Sequence, residues 1–168
     1  MKKLVFNIFL FICLLPLVVE GSINKGTIAP DFNFTDIENR TFSLYNFKEK
    51  VILIEFFSTK CFACDYVIPD INRLNEKFKR ESVRVIGILF SDEIESTDKL
   101  KEFMQSRQIT YPIYVANVKY KKTFGLYGFP NFLILNEKKE VVQMFRGITK
   151  DTFGLLNREI ENLLTGNR

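Results

Sequence analysis

The chain has 168 residues, of which 46% are hydrophobic and 14% aromatic. This is enough for one well-packed α/β domain and too little for two. The net charge is +4, and 22 basic and 19 acidic residues remain when residues 1–21 are left out; so small and scattered a charge gives no support for a nucleic-acid partner.

The N-terminus has the pattern of a secretory signal peptide. Two lysines follow Met1, an apolar run covers residues 4–19, and small residues come directly after Glu20. A helix that spans a membrane usually needs about 20 apolar residues, and Pro16 would disturb the last turns of this one. Residues 1–21 are therefore predicted to be a signal peptide, with an N-terminal membrane anchor as the alternative. Either places the domain in a compartment where disulfides persist.

The domain is predicted to begin with a hairpin. Residues 22–28 are polar and without periodicity, so they are interpreted as a linker to a domain that spans residues 29–165. Apolar and polar residues then alternate at 32–35 and again at 41–44. Two short alternating segments separated by a turn are typical of a β-hairpin.

Two nearly continuous apolar runs follow, at residues 51–57 and 83–90. They predict central strands that are covered on both faces of a sheet. Between them, apolar residues recur at helical spacing, with charged residues on the opposite side; they are Val67, Ile71, Leu74 and Phe78. The implied unit is a strand, a helix and a parallel strand.

The remainder of the chain continues in the same manner. Helices are predicted over residues 97–106 and 117–124, and a hairpin over residues 132–145. A final helix is predicted after Thr149, which would cap it. This helix carries an apolar stripe formed by Phe153, Leu156, Ile160, Leu163 and Leu164.

Two cysteines, Cys61 and Cys64, lie where the first central strand ends and the helix that follows it begins. Cys61 is expected at the helix N-terminus, where unpaired amide groups and the helix dipole stabilise a thiolate, the species that attacks a disulfide. Cys64, one turn inside the helix, would displace a partner from a mixed disulfide. The spacing predicts a reversible dithiol/disulfide cycle, which requires no dissociable cofactor.

Three other interpretations of the pair are weaker. A tetrahedral metal site needs about four ligands, whereas the sequence has no histidine and its third cysteine, Cys13, lies within the predicted signal peptide. A static structural disulfide would close so small a loop that it would stabilise the fold little. A peroxidatic cysteine is expected in a different setting, with the proline and threonine pattern of peroxiredoxins.

Residues 29–164 resemble thioredoxin-fold proteins, and more specifically the exported TlpA/ResA-like thiol-disulfide oxidoreductases. The resemblance rests on "APDF", on "FSLYNFKEKVILIEFF" leading to "CFAC", and on "GFPNFLILNEKKEVVQMFRG". It implies a thioredoxin-like α/β fold, with a central mixed β-sheet flanked by helices and extended by the N-terminal hairpin.

The resemblance also assigns roles to individual residues. Pro69 matches the proline that kinks the active-site helix of thioredoxins, and Pro130 matches the cis-proline that faces the disulfide. We therefore predict that the peptide bond before Pro130 is cis and lies against the cysteine pair. Glu55 matches the buried acid of thioredoxin and is expected to shuttle the proton of Cys64. A glutamate that points to solvent at a strand edge is the alternative.

Some positions depart from the family pattern or remain open. Lys60 stands where a tryptophan usually precedes the first cysteine, and Val67 stands where the TlpA/ResA-like group often has a glutamate. Lys60 is either a surface charge or a group that favours the Cys61 thiolate. Phe62 and Phe129 are candidates for contacts with an extended or unfolded substrate, with local packing as the alternative for each.

The resemblance implies thiol-disulfide exchange on exported protein substrates, in the direction of reduction and in the service of cytochrome c maturation. Electrons would come from a dithiol protein in the membrane. The protein itself would be a periplasmic or otherwise extracytoplasmic monomer. A disulfide oxidase or isomerase is the alternative within this class, and a non-catalytic binding module of thioredoxin geometry is the alternative outside it.

Overall fold

The computed structural model describes residues 23–166 of the chain. The predicted signal peptide or anchor at residues 1–21 lies outside this range. Within it, no helix is both long enough and apolar enough to cross a lipid bilayer.

Seven strands form one mixed sheet in the described range, in the order β2-β1-β5-β4-β3-β6-β7. The strands are β1 (Asn33–Thr35), β2 (Thr41–Ser43), β3 (Val51–Phe56), β4 (Val83–Phe90), β5 (Ile113–Ala116), β6 (Asn131–Asn136) and β7 (Val141–Arg146). The central strand β3 runs parallel to β4 and antiparallel to β6. The helices are α1 (Phe62–Lys77), α2 (Thr97–Ser106), α3 (Lys119–Thr123) and α4 (Thr152–Thr165).

The apolar run of β3 is buried because both faces of the sheet are covered. Ile52, Ile54 and Phe56 pack into one core cluster, which includes Phe32 and Phe34 of the N-terminal segment. On the other face, residues of α1, α2 and α4 pack against Val51, Leu53 and Phe57; they are Val67, Ile71, Leu74, Leu100, Leu156 and Ile160. An uninterrupted apolar strand is the sequence signature of this two-sided burial.

The predicted thioredoxin-like architecture is confirmed, including the parallel unit β3–α1–β4 and the N-terminal hairpin. The hairpin joins the sheet through β5, which pairs with β1 on one side and β4 on the other. No element was predicted at β5. Four residues that follow Pro112 are too few to show a periodicity, so the strand is defined by its neighbours.

Two details differ from the sequence-based expectations. The cap of the last helix is Asp151, not Thr149, and its Oδ1 accepts a hydrogen bond from the amide of Gly154 at 2.8 Å. A carboxylate at this position also interacts favourably with the helix dipole, which a threonine hydroxyl does not. Residues 23–28, the described part of the predicted linker at residues 22–28, are held against β7 through backbone hydrogen bonds of Gly26 and Thr27 with Val141.

Candidate active site

Cys61 and Cys64 are joined by a disulfide at the N-terminus of α1, with their Cα atoms 5.2 Å apart. Cys61 is the N-cap residue, and its Sγ accepts a hydrogen bond from the amide of Cys64 at 3.1 Å. Only 1% of Cys64 is exposed, whereas Cys61 is half-buried. An amide donor and a helix N-terminus both favour a thiolate at Cys61. Cys61 is therefore the sulfur that a large partner can reach.

The loop that precedes Cys61 is held by a polar network. Ser58 accepts a hydrogen bond from the Cys61 amide through its carbonyl at 3.2 Å, and its hydroxyl donates to Glu93 at 2.7 Å. Lys121 donates to the other carboxylate oxygen of Glu93 at 2.9 Å. Partial burial opposes ionisation of Glu93, but the hydrogen bonds from Lys121 and Ser58 outweigh it and lower the pKa of this carboxyl. The network thus carries a fixed charge pair beside the redox loop.

Lys121 connects this network to the opposite side of the site. Its ammonium lies 5.5 Å from the ring centroid of Phe129 and 5.4 Å from that of Phe90. Cations at such distances are attracted to the face of an aromatic ring. The loop before Cys61 and the loop that contains Pro130 therefore share one anchoring side chain.

The Phe129–Pro130 peptide bond is cis, as predicted. Asn131 pairs with Phe56 across the antiparallel β3–β6 ladder, so Pro130 and the loop before Cys61 lie at the same end of the sheet. Phe129 is half-buried and packs against the same core cluster as Cys61. Most of its ring area is used in packing, so less of it remains for a substrate than the sequence suggested.

Glu55 is completely buried in β3, which excludes the alternative of a solvent-facing strand-edge residue. Side chains alternate along a strand, so Glu55 lies on the face of Leu53 and Phe57, the face that α1 and Cys64 cover. Burial raises the pKa of Glu55 to about 7, although a hydrogen bond from Tyr111 acts in the opposite direction. A carboxyl with this pKa can accept or release a proton near neutral pH.

Several residues around the cysteines are open to solvent. The exposed fractions are 77% for Phe62 and 67% for Tyr66. The two rings pack edge to face, with their centroids 5.4 Å apart. Lys60 is also exposed, on the rim of a groove lined by Asp92 and Glu93. Phe62 is thus exposed as predicted, and Tyr66 extends the same apolar surface.

Lys60→Ala is expected to shift alkylation of Cys61 in the reduced protein to higher pH. The ammonium next in sequence to Cys61 attracts a thiolate, and its removal takes that attraction away. The measurement is the rate of iodoacetamide labelling between pH 5 and pH 9. Lys79→Ala, at an exposed position two residues beyond the end of α1, is the matched control for loss of one lysine. Identical profiles for both variants and the unchanged chain would leave Lys60 as an ordinary surface residue.

Sequence reasoning did not single out Ser58, Glu93, Tyr111 or Lys121. Each looks like a common surface residue in its local context. Tyr111 does have a weak signal, since it precedes Pro112 and a short β-branched and aromatic stretch. The others have none, because their function in the site depends on partners about 30 residues away in the chain.

Known proteins resemble this chain in sequence and in structure. A family model described as the AhpC/TSA family matches residues 25–144. The thiol-disulfide oxidoreductase ResA of Bacillus thuringiensis (strain Al Hakam) is 32% identical over 130 residues, which cover 75% of this chain and 72% of the relative. ResA of Bacillus thuringiensis subsp. konkukian (strain 97-27) is 27% identical over 129 residues, which cover 76% of this chain and 73% of that relative.

A solved structure has the same fold over nearly its whole length. The putative thiol:disulfide interchange protein DsbE from Chlorobium tepidum matches with a TM-score of 0.76 and 19% identity, covering 85% of this chain and 99% of that one. The family model spans well over half of the chain, and the redox pair lies inside the matched region. The chain therefore belongs to the AhpC/TSA family and is a thioredoxin-fold thiol-disulfide oxidoreductase.

Proposed function

We propose that this protein reduces disulfides of exported protein substrates, with Cys61 and Cys64 as its redox pair. The observation that carries the proposal is the unequal exposure of the two sulfurs at a helix N-terminus: Cys61 is half-buried, whereas Cys64 is 1% exposed. Only one sulfur can meet a folded or extended partner, and the other lies directly behind it. This division of tasks is what a two-step exchange requires.

The reaction consists of two exchanges. In the first, the Cys61 thiolate attacks one sulfur of the substrate disulfide, forming a mixed disulfide and releasing the other substrate sulfur as a thiolate, which takes up a proton. In the second, Cys64 loses its proton to Glu55 and attacks Cys61. The Cys61–Cys64 disulfide forms, and the second substrate sulfur leaves and is protonated. The substrate gains two electrons and two protons. The electrons come from the cysteine pair; one proton equals the one that Cys61 released to solvent when it ionised, and the other is the Cys64 proton, which Glu55 then gives up again.

The finer assignments rest on the N-terminal sequence and on the resemblance to TlpA/ResA-like proteins. The signal-like residues 1–21 support action outside the cytoplasm, either as a released protein or as an anchored one. The resemblance supports reduction in the course of cytochrome c maturation, with a membrane dithiol protein that re-reduces Cys61 and Cys64. The exposed ring of Phe62 supports contact with an extended or unfolded substrate.

The reduction potential of the Cys61–Cys64 pair tests the direction of electron flow. A reductase is expected to have a potential near that of thioredoxin, about −270 mV, and far below the value of about −120 mV typical of the strong oxidant DsbA. The measurement is equilibration of the full chain with glutathione or dithiothreitol buffers, read out by alkylation. A potential near −120 mV would instead indicate an oxidase. Failure to reduce any disulfide substrate would indicate a binding module.

A further inference from the structure

One oxygen of Glu55 is left without a partner. Tyr111 donates its hydroxyl hydrogen to Oε2 of Glu55 at 2.6 Å. Oε1 is the single buried side-chain oxygen or nitrogen without a hydrogen-bond partner within residues 23–166. A buried polar atom without a partner is costly and calls for an explanation. The two oxygens of this carboxyl therefore have different environments, because Tyr111 donates a hydrogen bond to Oε2 and none to Oε1.

The backbone opposite Glu55 leaves space for the Tyr111 ring. Gly87 is the parallel partner of Glu55 in the β3–β4 ladder. A Cβ atom at position 87 would lie 3.0 Å from the Tyr111 ring and 2.4 Å from the Ile113 side chain. A Cβ atom at this position would clash first with the Ile113 and Phe57 side chains and would also press on the Tyr111 ring. Glycine at position 87 thus leaves room for the side chains that pack here, including the ring that donates to Glu55.

Side chains of α1 hold the segment that leads into Tyr111. The Asn72 side-chain amide donates to the carbonyl of Gln108 at 2.8 Å, and its carbonyl oxygen accepts from the amide of Thr110 at 2.8 Å. Asn75 donates to the carbonyl of Thr110 at 3.2 Å. The helix that carries Cys61 and Cys64 at its N-terminus therefore also fixes the entry of Tyr111 beneath it.

We propose that Tyr111 is a positioning residue for the redox reaction: by occupying Oε2 of Glu55, it makes Oε1 the oxygen that exchanges the proton of Cys64. The inference rests on the proposed function, in which Glu55 accepts that proton. When the carboxyl is protonated, its hydrogen is on Oε1, because Oε2 already accepts the Tyr111 hydrogen. When it is ionised, Oε1 is the oxygen available to a thiol.

The groups that face this carboxyl are few. Tyr111 contributes the phenol, the neighbouring strands present Gly87 and Phe132 at the level of Glu55, and Cys64 of α1 packs in the core cluster on the same face of the sheet. Burial raises the pKa of Tyr111 well above its usual value, and the adjacent Glu55 raises it further. The phenol therefore remains a donor over the whole range in which Glu55 titrates.

Tyr111→Phe tests the assignment in the full chain. The phenylalanine ring keeps the packing but removes the hydrogen bond that lowers the pKa of Glu55. The pH midpoint for resolution of a preformed mixed disulfide at Cys61 is expected to rise by about one unit. Resolution should then be roughly five-fold slower at pH 7 and unchanged at pH 9, because about one carboxyl in ten rather than one in two is ionised at pH 7. The first attack by Cys61 should keep its rate.

Tyr114→Phe is the matched control. Tyr114 is also buried, but it lies on the opposite face of the sheet among aromatic rings of the N-terminal hairpin. Because the Tyr114 hydroxyl lies on the other face from Glu55, the pH profile for resolution in Tyr114→Phe should equal that of the unchanged protein. If both variants gave the profile of the unchanged protein, or if Tyr111→Phe slowed resolution equally at every pH, the positioning role would be wrong.

Two further measurements separate this inference from the proposed function. In the oxidised protein, where neither Cys61 nor Cys64 titrates, the pH midpoint in the NMR titration of the Glu55 side-chain carbon should rise in Tyr111→Phe, whether or not the protein reduces any substrate. An unmoved titration would overturn the inference. In a Glu55→Gln background, Tyr111→Phe should cause no additional slowing of resolution; the full five-fold loss there would show that Tyr111 does not act through Glu55.

Discussion

Cys64→Ser is expected to accumulate mixed disulfides between Cys61 and substrate proteins and to lose multiple turnover completely. Cys61 remains half-exposed and can still attack, but the hydroxyl of serine cannot displace the bound substrate sulfur. The step that releases the substrate is therefore absent. The measurement is non-reducing electrophoresis after incubation of the reduced variant with an unfolded protein that contains one disulfide.

Cys61→Ser is the control with the opposite expectation. Cys64, the member of the redox pair that this variant keeps, is 1% exposed, so a protein disulfide cannot approach its sulfur. This variant should trap at least ten-fold less substrate, and its Cys64 should react slowly with iodoacetamide in the folded state. Equal trapping by the two variants would contradict the assignment of Cys61 as nucleophile and Cys64 as resolving thiol.

The central part of the fold could be predicted because its signals are local and strong. The run that forms β3 is apolar at every position except Glu55, and the helix that follows carries an apolar residue at each turn. A strand, a helix and a second apolar strand permit little besides a parallel unit with the helix over one face. The two cysteines fall between these elements, so their position at the N-terminus of α1 could also be predicted.

The supporting parts of the site could not be predicted, because they depend on contacts between distant parts of the chain. Tyr111 is 56 residues from Glu55, and Lys121 is 28 residues from Glu93. Nothing local at Tyr111 indicates that its hydroxyl meets a carboxylate, and the glycine that makes room for its ring lies on a third segment. The identity of Glu55 as a buried acid was visible from its strand. The partner that orients it was not.

Glu55→Gln is expected to stabilise the folded protein at alkaline pH while it slows the redox cycle. In the folded state burial raises the pKa of Glu55 from 4.5 to about 7. Between these values the folded protein keeps a proton that the unfolded chain has lost, so stability falls as the pH rises from about 4.5 to 7. The loss reaches about 3 kcal/mol above pH 7, at 1.36 kcal/mol per pKa unit. Glutamine does not titrate and avoids this loss.

The measurement is urea unfolding of the oxidised full chain at pH 4 and pH 8.5, where the disulfide keeps Cys61 and Cys64 from titrating. The stability of Glu55→Gln relative to the unchanged protein should increase by about 3 kcal/mol between the two pH values. The unpaired amide hydrogens of the buried glutamine lower the stability of the variant by about 1–3 kcal/mol, but by the same amount at both pH values. Resolution of a mixed disulfide at pH 7 should become about 100-fold slower, as expected for loss of a general base.

Glu49→Gln is a control in which the effect on stability should change with pH in the opposite direction. Glu49 is partly buried, which by itself raises its pKa, but backbone hydrogen bonds and an ion pair with Arg84 outweigh the burial and lower it. Its contribution to stability is present above pH 4.5 and is lost as the pH falls through the lowered value. Glu49→Gln should therefore destabilise the protein at pH 8.5 and leave the redox cycle unchanged. The stability of Glu55→Gln relative to the unchanged protein could instead fall between pH 4 and pH 8.5, as expected for Glu49→Gln. The Glu55 carboxyl would then be ionised and stabilising in the fold, and it could not serve as the proton acceptor for Cys64 near neutral pH.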